Sequence, residues 1–220
     1  MQREFLKALK TAGKQIIYVN CSGSCIALQP EAEACDAIVQ AWYPGQEGGT
    51  AVADVLFGDY NPNGKLPVTF YKNSNQLPDY EDYSMKGRTY RYFNDALFPF
   101  GYGLSYTQFE IGNVAVSQQG ESFSVSVPVK NIGKRDGSET VQLYIRDLQD
   151  PDGPLKSLRG FQRVDVKSGQ TQIVNLQLTK KSFEFWDAET NTMRVKPGQY
   201  EILIGNSSQD NNMKKQIVNL

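Results

Sequence analysis

Histidine is absent from this 220-residue chain, and cysteine is scarce, with three residues. The missing histidine excludes Ser-His-Asp and Cys-His catalysis and histidine-ligated metal centres within these residues, so acid–base work falls to carboxylates, lysine or tyrosine. The cysteines Cys21, Cys25 and Cys35 are odd in number and include no Cys-x2-Cys pair, which argues against a zinc site and against a disulfide framework. They read as buried or idle thiols, with a Cys21–Cys25 disulfide left open in an oxidising compartment. A net charge of −1 supplies no field for nucleic acid or an anionic membrane, and neither is expected as a partner. No apolar run approaches the roughly 20 residues that cross a bilayer. The amphipathic stretch 1–13 lacks the apolar centre of a secretory signal.

The organising stretch runs from Ala41 to Phe70. Ile38, Val39, Ala41 and Trp42 read as a short buried strand, stopped by Pro44-Gly45. Gly48-Gly49 then open a helix, and a close backbone approach or a positive φ is expected at both glycines. Ala51, Val52, Val55 and Leu56 lie on one helical face, and Gly58 stands where a left-handed C-terminal cap belongs. Asn61-Pro62-Asn63-Gly64 is a turn, and Leu66 to Phe70 resumes an extended pattern. The unit places a tight loop at the carboxyl end of a strand, where open α/β sheets put ligands.

Before it come a helix over 2–12 with Phe5, Leu6 and Leu9 as its stripe, a strand at Ile16 to Val19, and a short helix starting at Pro30. The continuous apolar strand suits a parallel sheet covered on both faces. Two strands make a very small sheet, so earlier strands are expected upstream. Residues 72–105 form a long linker rich in tyrosine (Tyr80, Tyr83, Tyr90, Tyr92, Tyr102), expected to pack in order over other surfaces. From Tyr106 the period becomes two: Phe123, Val125, Val127 and Val129 alternate with polar residues, and Val141, Leu143 and Ile145 repeat the pattern. Turn signals between such runs predict an all-β sandwich. The division is therefore 1–71 α/β, 72–105 linker and 106–220 sandwich.

Trp42 to Gly49, Ala51 to Pro62 and Gly64 to Phe70 resemble the second domain of family 3 glycoside hydrolases. Phe98-Pro99-Phe100-Gly101-Tyr102-Gly103-Leu104-Ser105-Tyr106 resembles the lead into that family's third, fibronectin type III-like domain, and Val127–Gly137, Gln142–Arg146 and Leu158–Phe161 resemble that domain itself. The resemblance implies the C-terminal part of a partial αβα sandwich followed by a fibronectin type III-like sandwich. It implies a retaining β-glycosidase acting on β-linked oligosaccharide, with no cofactor and no metal. A retaining enzyme sets two carboxyl groups about 5–5.5 Å apart. By the resemblance, the aspartate nucleophile lies in an N-terminal barrel domain and the acid/base glutamate lies upstream of residue 2, so no catalytic residue is carried over and the isolated chain is expected to be inactive. The barrel is the implied partner, and the full-length form is expected to be periplasmic or secreted, its signal upstream.

Gly87-Arg88-Thr89-Tyr90-Arg91-Tyr92-Phe93 resembles the β-xylosidase branch more than the β-glucosidase branch, which remains the alternative. A rival from another class is a non-catalytic carbohydrate-binding or scaffolding module. It would show an exposed planar row of aromatics, for which Phe161, Phe183, Phe185 and Trp186 are the available set, and these read as core. Five residues stand as substrate-side or interdomain candidates: Trp42, Glu47, Arg88, Tyr90 and Arg91. Each has a plainer reading. Glu47 caps the helix start, Trp42 packs in a core, and the cluster Arg88, Tyr90 and Arg91 anchors the linker through planar guanidinium contacts. Glu139, Asp147, Asp150 and Asp152 lack the EF-hand spacing and read as solvated surface carboxylates.

Overall fold

The computed structural model of the chain describes residues 2–220, the side chain of Asn212 excepted. The first segment is α1 (Gln2–Thr11), β1 (Ile17–Asn20), α2 (Gln29–Ala34), β2 (Ala37–Gln40) and α3 (Gly48–Phe57). Strands β1 and β2 pair in parallel, from Ile17 opposite Ala37 to Asn20 opposite Gln40. Gly58 closes α3 at φ 84°, the left-handed cap its position requires. Two expectations change here. The second strand ends at Gln40, because Trp42 turns to φ 57° and leaves the ladder. Leu66 to Phe70 forms no strand but bonds to the returning linker, through one Phe70–Phe98 bridge and the Leu66 N–H to Tyr102 carbonyl at 2.8 Å. The stripe of α1 buries no residue, and Phe5 and Ile17 are exposed, so the described segment is not covered on both faces.

After a short helix α4 (Thr89–Tyr92), the chain is built of strands with two 3-10 turns between them: β3 (Phe109–Ile111), β4 (Ala115–Gln119), β5 (Ser122–Asn131), β6 (Gly137–Asp147), β7 (Ser157–Val166), β8 (Thr171–Leu178), β9 (Phe185–Asp187), β10 (Thr192–Arg194), β11 (Gln199–Gly205) and β12 (Lys214–Asn219). One sheet runs β12-β11-β6-β7; in the other, β5 pairs with β3 and β4 and with β8. The alternation along β5 buries Phe123, Val125, Val127 and Val129 against Val141, Leu143 and Ile145 of β6 and Ile202 and Ile204 of β11. Each such side chain contributes about 1.5–3 kcal/mol over its exposed state. Phe183 fills the middle, its ring centroid 5.2 Å from Phe123 and 5.4 Å from Tyr200. Of the aromatics read as core, Phe183 and Phe185 are buried. Phe161 and Trp186 are exposed, on different sheets, so they make no row.

The two parts are joined by polar contacts whose chemistry is local to the joining motifs. Lys65 Nζ lies 2.8 Å from Glu139 Oε1, with both side chains largely withdrawn from solvent. Asn206 donates to the other Glu139 oxygen at 3.1 Å. Glu139 is therefore no solvated carboxylate, and neither is buried Asp147, which accepts the Gln149 backbone N–H at 2.9 Å. Asn61 donates to the Asp136 carbonyl at 2.9 Å and accepts from the Tyr106 N–H at 2.7 Å. Gln142 donates to the Gly101 carbonyl at 3.0 Å. The approach there is so close that a Cβ on Gly101 (φ +77°) would lie 2.0 Å from Gln142 Oε1. Only glycine fits that position.

Candidate functional site

The carboxyl ends of β1 and β2 form one rim. Asn20 donates to Gln40 Oε1 at 2.6 Å and to Ser22 Oγ at 3.0 Å, and Gln40 donates to the same hydroxyl at 3.2 Å. These amides hold the two loops side by side. Beyond them Trp42 sits in the left-handed region, a conformation that costs a bulky residue energy and marks over-determined loops. Its ring is edge-on to Phe70, with centroids 6.1 Å apart. Tyr43 is largely exposed, yet its ring covers Gly23, where a Cβ would meet Cε2 at 2.8 Å.

Glu47 occupies the N-cap position of α3, but its side chain makes no capping bond; its carboxylate accepts from the Thr50 hydroxyl at 3.4 Å and is otherwise exposed. The expectation that it accepts backbone N–H groups is corrected accordingly. The paired-glycine expectation splits. A Cβ on buried Gly48 would meet Pro44 Cγ at 2.5 Å, whereas one on Gly49 meets nothing within 4 Å. Proline 44 stacks on the first helical residue only, so only Gly48 is constrained.

The linker candidates serve a different surface. Arg88 donates to the carbonyls of Asp79 (3.0 Å), Asp82 (2.7 Å) and Ser84 (3.2 Å), drawing 79–84 into a closed loop. A backbone N–H from Ser84 holds the Asp82 carboxyl below its usual range. Tyr80 and Tyr83 on that loop are almost fully exposed, so this part of the linker does not pack over the other described residues. Tyr90 does: its ring stacks on Phe100 at 4.4 Å and meets Tyr144 edge-on at 5.6 Å, and its hydroxyl accepts the Leu158 N–H at 3.1 Å. Burial pushes the Tyr144 hydroxyl far above its ordinary pKa. The Arg91 carbonyl accepts the Leu155 N–H at 2.6 Å, while its Nε is buried without a described partner. No described hydrogen bond, ion pair or ring contact joins Glu47 to Arg88, Tyr90 or Arg91; the five candidates lie on two surfaces.

A chain of aromatic contacts spans the distance between those surfaces. Trp42 meets Phe70, Phe70 meets Phe98 at 6.4 Å, and Phe98 stacks on Tyr102 at 5.7 Å. It leads to a cavity of about 390 Å³ between the linker and the segment 208–211 of the sandwich. Sequence reasoning missed this cavity, since Thr69, Asn94 and Asp210 reach it from stretches far apart in the chain and no local pattern links them. The three cysteines are free thiols. Cys21 is exposed rather than buried, and burial, then Glu31, raises the Cys35 pKa.

The described residues thus set an α/β unit, its loops at the strand ends, beside an all-β sandwich. Residues 1–106 match the glycosyl hydrolase family 3 C-terminal domain, and 139–208 match a fibronectin type III-like domain. The chain is 74% identical to a xylan 1,4-beta-xylosidase of Xylanibacter ruminicola, over its whole length and 26% of the relative. It is 38% identical to a periplasmic beta-glucosidase of Salmonella typhimurium, over 93% of this chain and 29% of the relative. Among solved structures, a GH3 beta-glucosidase of Bifidobacterium adolescentis superposes with a TM-score of 0.91 at 33% identity, covering all of this chain and 35% of that one. The chain belongs to glycoside hydrolase family 3, as the C-terminal part of the family's enzymes, and spans about a quarter to a third of the relatives' length.

Proposed function

We propose that this chain is the C-terminal portion of a retaining β-xylosidase that removes terminal β-linked xylosyl units in plant-type polysaccharide breakdown, working with an N-terminal barrel domain that carries the nucleophile. The reading is carried by the 74% identity to a xylan 1,4-beta-xylosidase along the whole chain. In it, the loop 42–49 contributes a wall of the sugar site. The polar contacts Lys65–Glu139, Asn61–Tyr106 and Gln142–Gly101 tie the stretches 61–65 and 98–106 to the sandwich. A rigid support of this kind holds a site within the small tolerances that positioning demands. Localisation outside the cytoplasm fits polysaccharide as substrate.

The test assays the 220-residue chain and the full-length polypeptide on aryl β-xylosides and aryl β-glucosides at equal molarity. The chain alone turns over neither, because no carboxylate pair is carried on it by family resemblance. The full-length protein prefers the xyloside. Comparable turnover by the short chain refutes the reading and makes Glu47→Gln the next variant.

A further inference from the structure

We propose that the cavity between the linker and the segment 208–211 binds a neutral pyranose unit of a β-linked oligosaccharide, apart from the loop 42–49. Its volume of about 390 Å³ falls within the roughly 300–1,000 Å³ of small-molecule sites. Its lining combines two kinds of group that sugar recognition needs. Phe93, Phe98 and Tyr102 supply aromatic surface for the C–H face of a ring with equatorial hydroxyls. Asn94, Gln209 and Asn211 supply planar amides that make no side-chain hydrogen bond to the described residues, and so are free to bridge neighbouring hydroxyls.

Two buried groups show that the polar wall is built rather than incidental. Asp210 is held by an ion pair with Lys156, whose side chain is only 2% exposed. The salt bridge fixes the carboxylate and leaves its second oxygen as an acceptor. Thr69 also lines the cavity, and its buried hydroxyl has no described partner. A backbone bond from the Ser208 N–H to the Phe100 carbonyl at 2.8 Å clamps one wall to the other. No lysine or arginine is among the lining residues, and Asp210 repels anions, so a neutral polyhydroxyl ligand fits and a phosphate or uronate does not.

The choice of xylosyl units rests on the function proposed above; binding without turnover tests the cavity, and hydrolysis by the full-length polypeptide tests that function. Xylobiose, xylotriose and cellobiose are titrated into the 220-residue chain, with resonance perturbations mapped by NMR. The expected result is saturable binding of xylobiose that perturbs Phe98, Tyr102 and Asn211. The double variant Asn94→Ala/Asn211→Ala binds at least tenfold more weakly at unchanged Tm. The paired replacement Lys156→Met with Asp210→Asn removes the charged acceptor without stranding the nearly buried ammonium, and so separates loss of the acceptor from loss of fold. Preference for cellobiose with the same perturbation map supports the cavity and refutes the xylosyl assignment. The proposal is overturned by no saturable binding, by binding that ignores both variants, or by perturbations confined to 42–49. Hydrogen exchange of residues 93–102 in the full-length polypeptide completes the test. Protection there by xylobiose is expected. Protection already complete without sugar shows the cavity filled by polypeptide, which also overturns it.

Discussion

Two neighbouring parts of this molecule are stabilised in different ways. The sandwich surrounds a continuous apolar core in which Val127, Val129, Val141, Leu143, Ile145 and Phe183 are wholly buried. Among its described residues, the α/β segment up to Phe70 buries only Ile16, Leu28 and Phe70 of its large apolar side chains, and leaves Phe5, Ile17 and Phe57 exposed. Among the described residues, its contacts to the sandwich are specific polar and backbone ones: Lys65 to Glu139, Tyr106 to the Val55 carbonyl at 2.6 Å, Arg135 to the Gly58 carbonyl at 2.6 Å. Area burial is non-directional and tolerant, whereas such contacts each require one geometry. The lesson is that the sandwich is a scaffold by itself, and the α/β segment is positioned by being bolted to it.

The largest effect is expected from Phe183→Ala, which opens the sandwich core and destabilises it by about 3–5 kcal/mol, read as a loss of urea midpoint. The matching change at exposed Phe5→Ala is expected to shift that midpoint negligibly. Equal losses at the two positions would show that the segment carries a core as cohesive as the sandwich's.

Breaking the bolt comes next. Glu139→Ala strands Lys65 in a nearly buried place and is expected to cost about 3–5 kcal/mol at most. The paired replacement Lys65→Met with Glu139→Leu is expected to recover most of that loss, measured in a double-mutant cycle. Hydrogen exchange sharpens the point: Glu139→Ala loosens residues 41–70 more than β5 or β11. Uniform loosening would mean that the contact stabilises the sandwich rather than the junction.

Within the α/β segment the two adjacent glycines separate a close contact from helix propensity. Gly48→Ala is expected to destabilise by about 1–3 kcal/mol through overpacking on Pro44. Gly49→Ala, in open space on a helix, is expected to stabilise by up to about 1 kcal/mol. Thermal melts of the two single variants decide it.

The smallest effect concerns pH and belongs to the sandwich alone. Thr190, then Lys196, donate to Asp187, and with Arg194 they lower its pKa to about 2. The unfolded value is about 3.9, so the unfolded chain binds more protons between these values and stability rises with pH there. The contribution is full above about pH 4 and is lost as pH falls through the folded value. Asp187→Asn should flatten the slope of stability between pH 4 and 2 while leaving the α/β segment's exchange rates unchanged.

Local patterns made much of this legible. The alternation along Phe123–Val129 predicts the buried face of β5 without ambiguity, because a period of two admits one orientation per sheet face. Gly58 predicts its left-handed cap because glycine, with no Cβ, adopts that conformation without steric cost. The resemblance of 42–70 and 98–106 to family 3 implied both domain types, and the matches at 1–106 and 139–208 show them. Other features depend on partners distant in the chain. Glu139 looked like a surface carboxylate because Lys65 lies 74 positions earlier, and neither residue's neighbours announce a pair. Glu47 looked like a cap from its position alone, yet its carboxylate makes no capping bond to a backbone N–H and accepts only from the Thr50 hydroxyl. Tyr80 and Tyr90 read alike in sequence, yet one is exposed and the other is stacked on Phe100.

By itself, then, the sequence determined the element types, the sandwich core and the family, since all three rest on periodicity and on motifs contiguous in the chain. Tertiary structure alone decided which candidates meet, which carboxylates are buried and where the cavity lies. Each of those depends on side chains brought together from distant stretches, and the free energy of such a contact is set by its geometry rather than by the residues' neighbours in sequence.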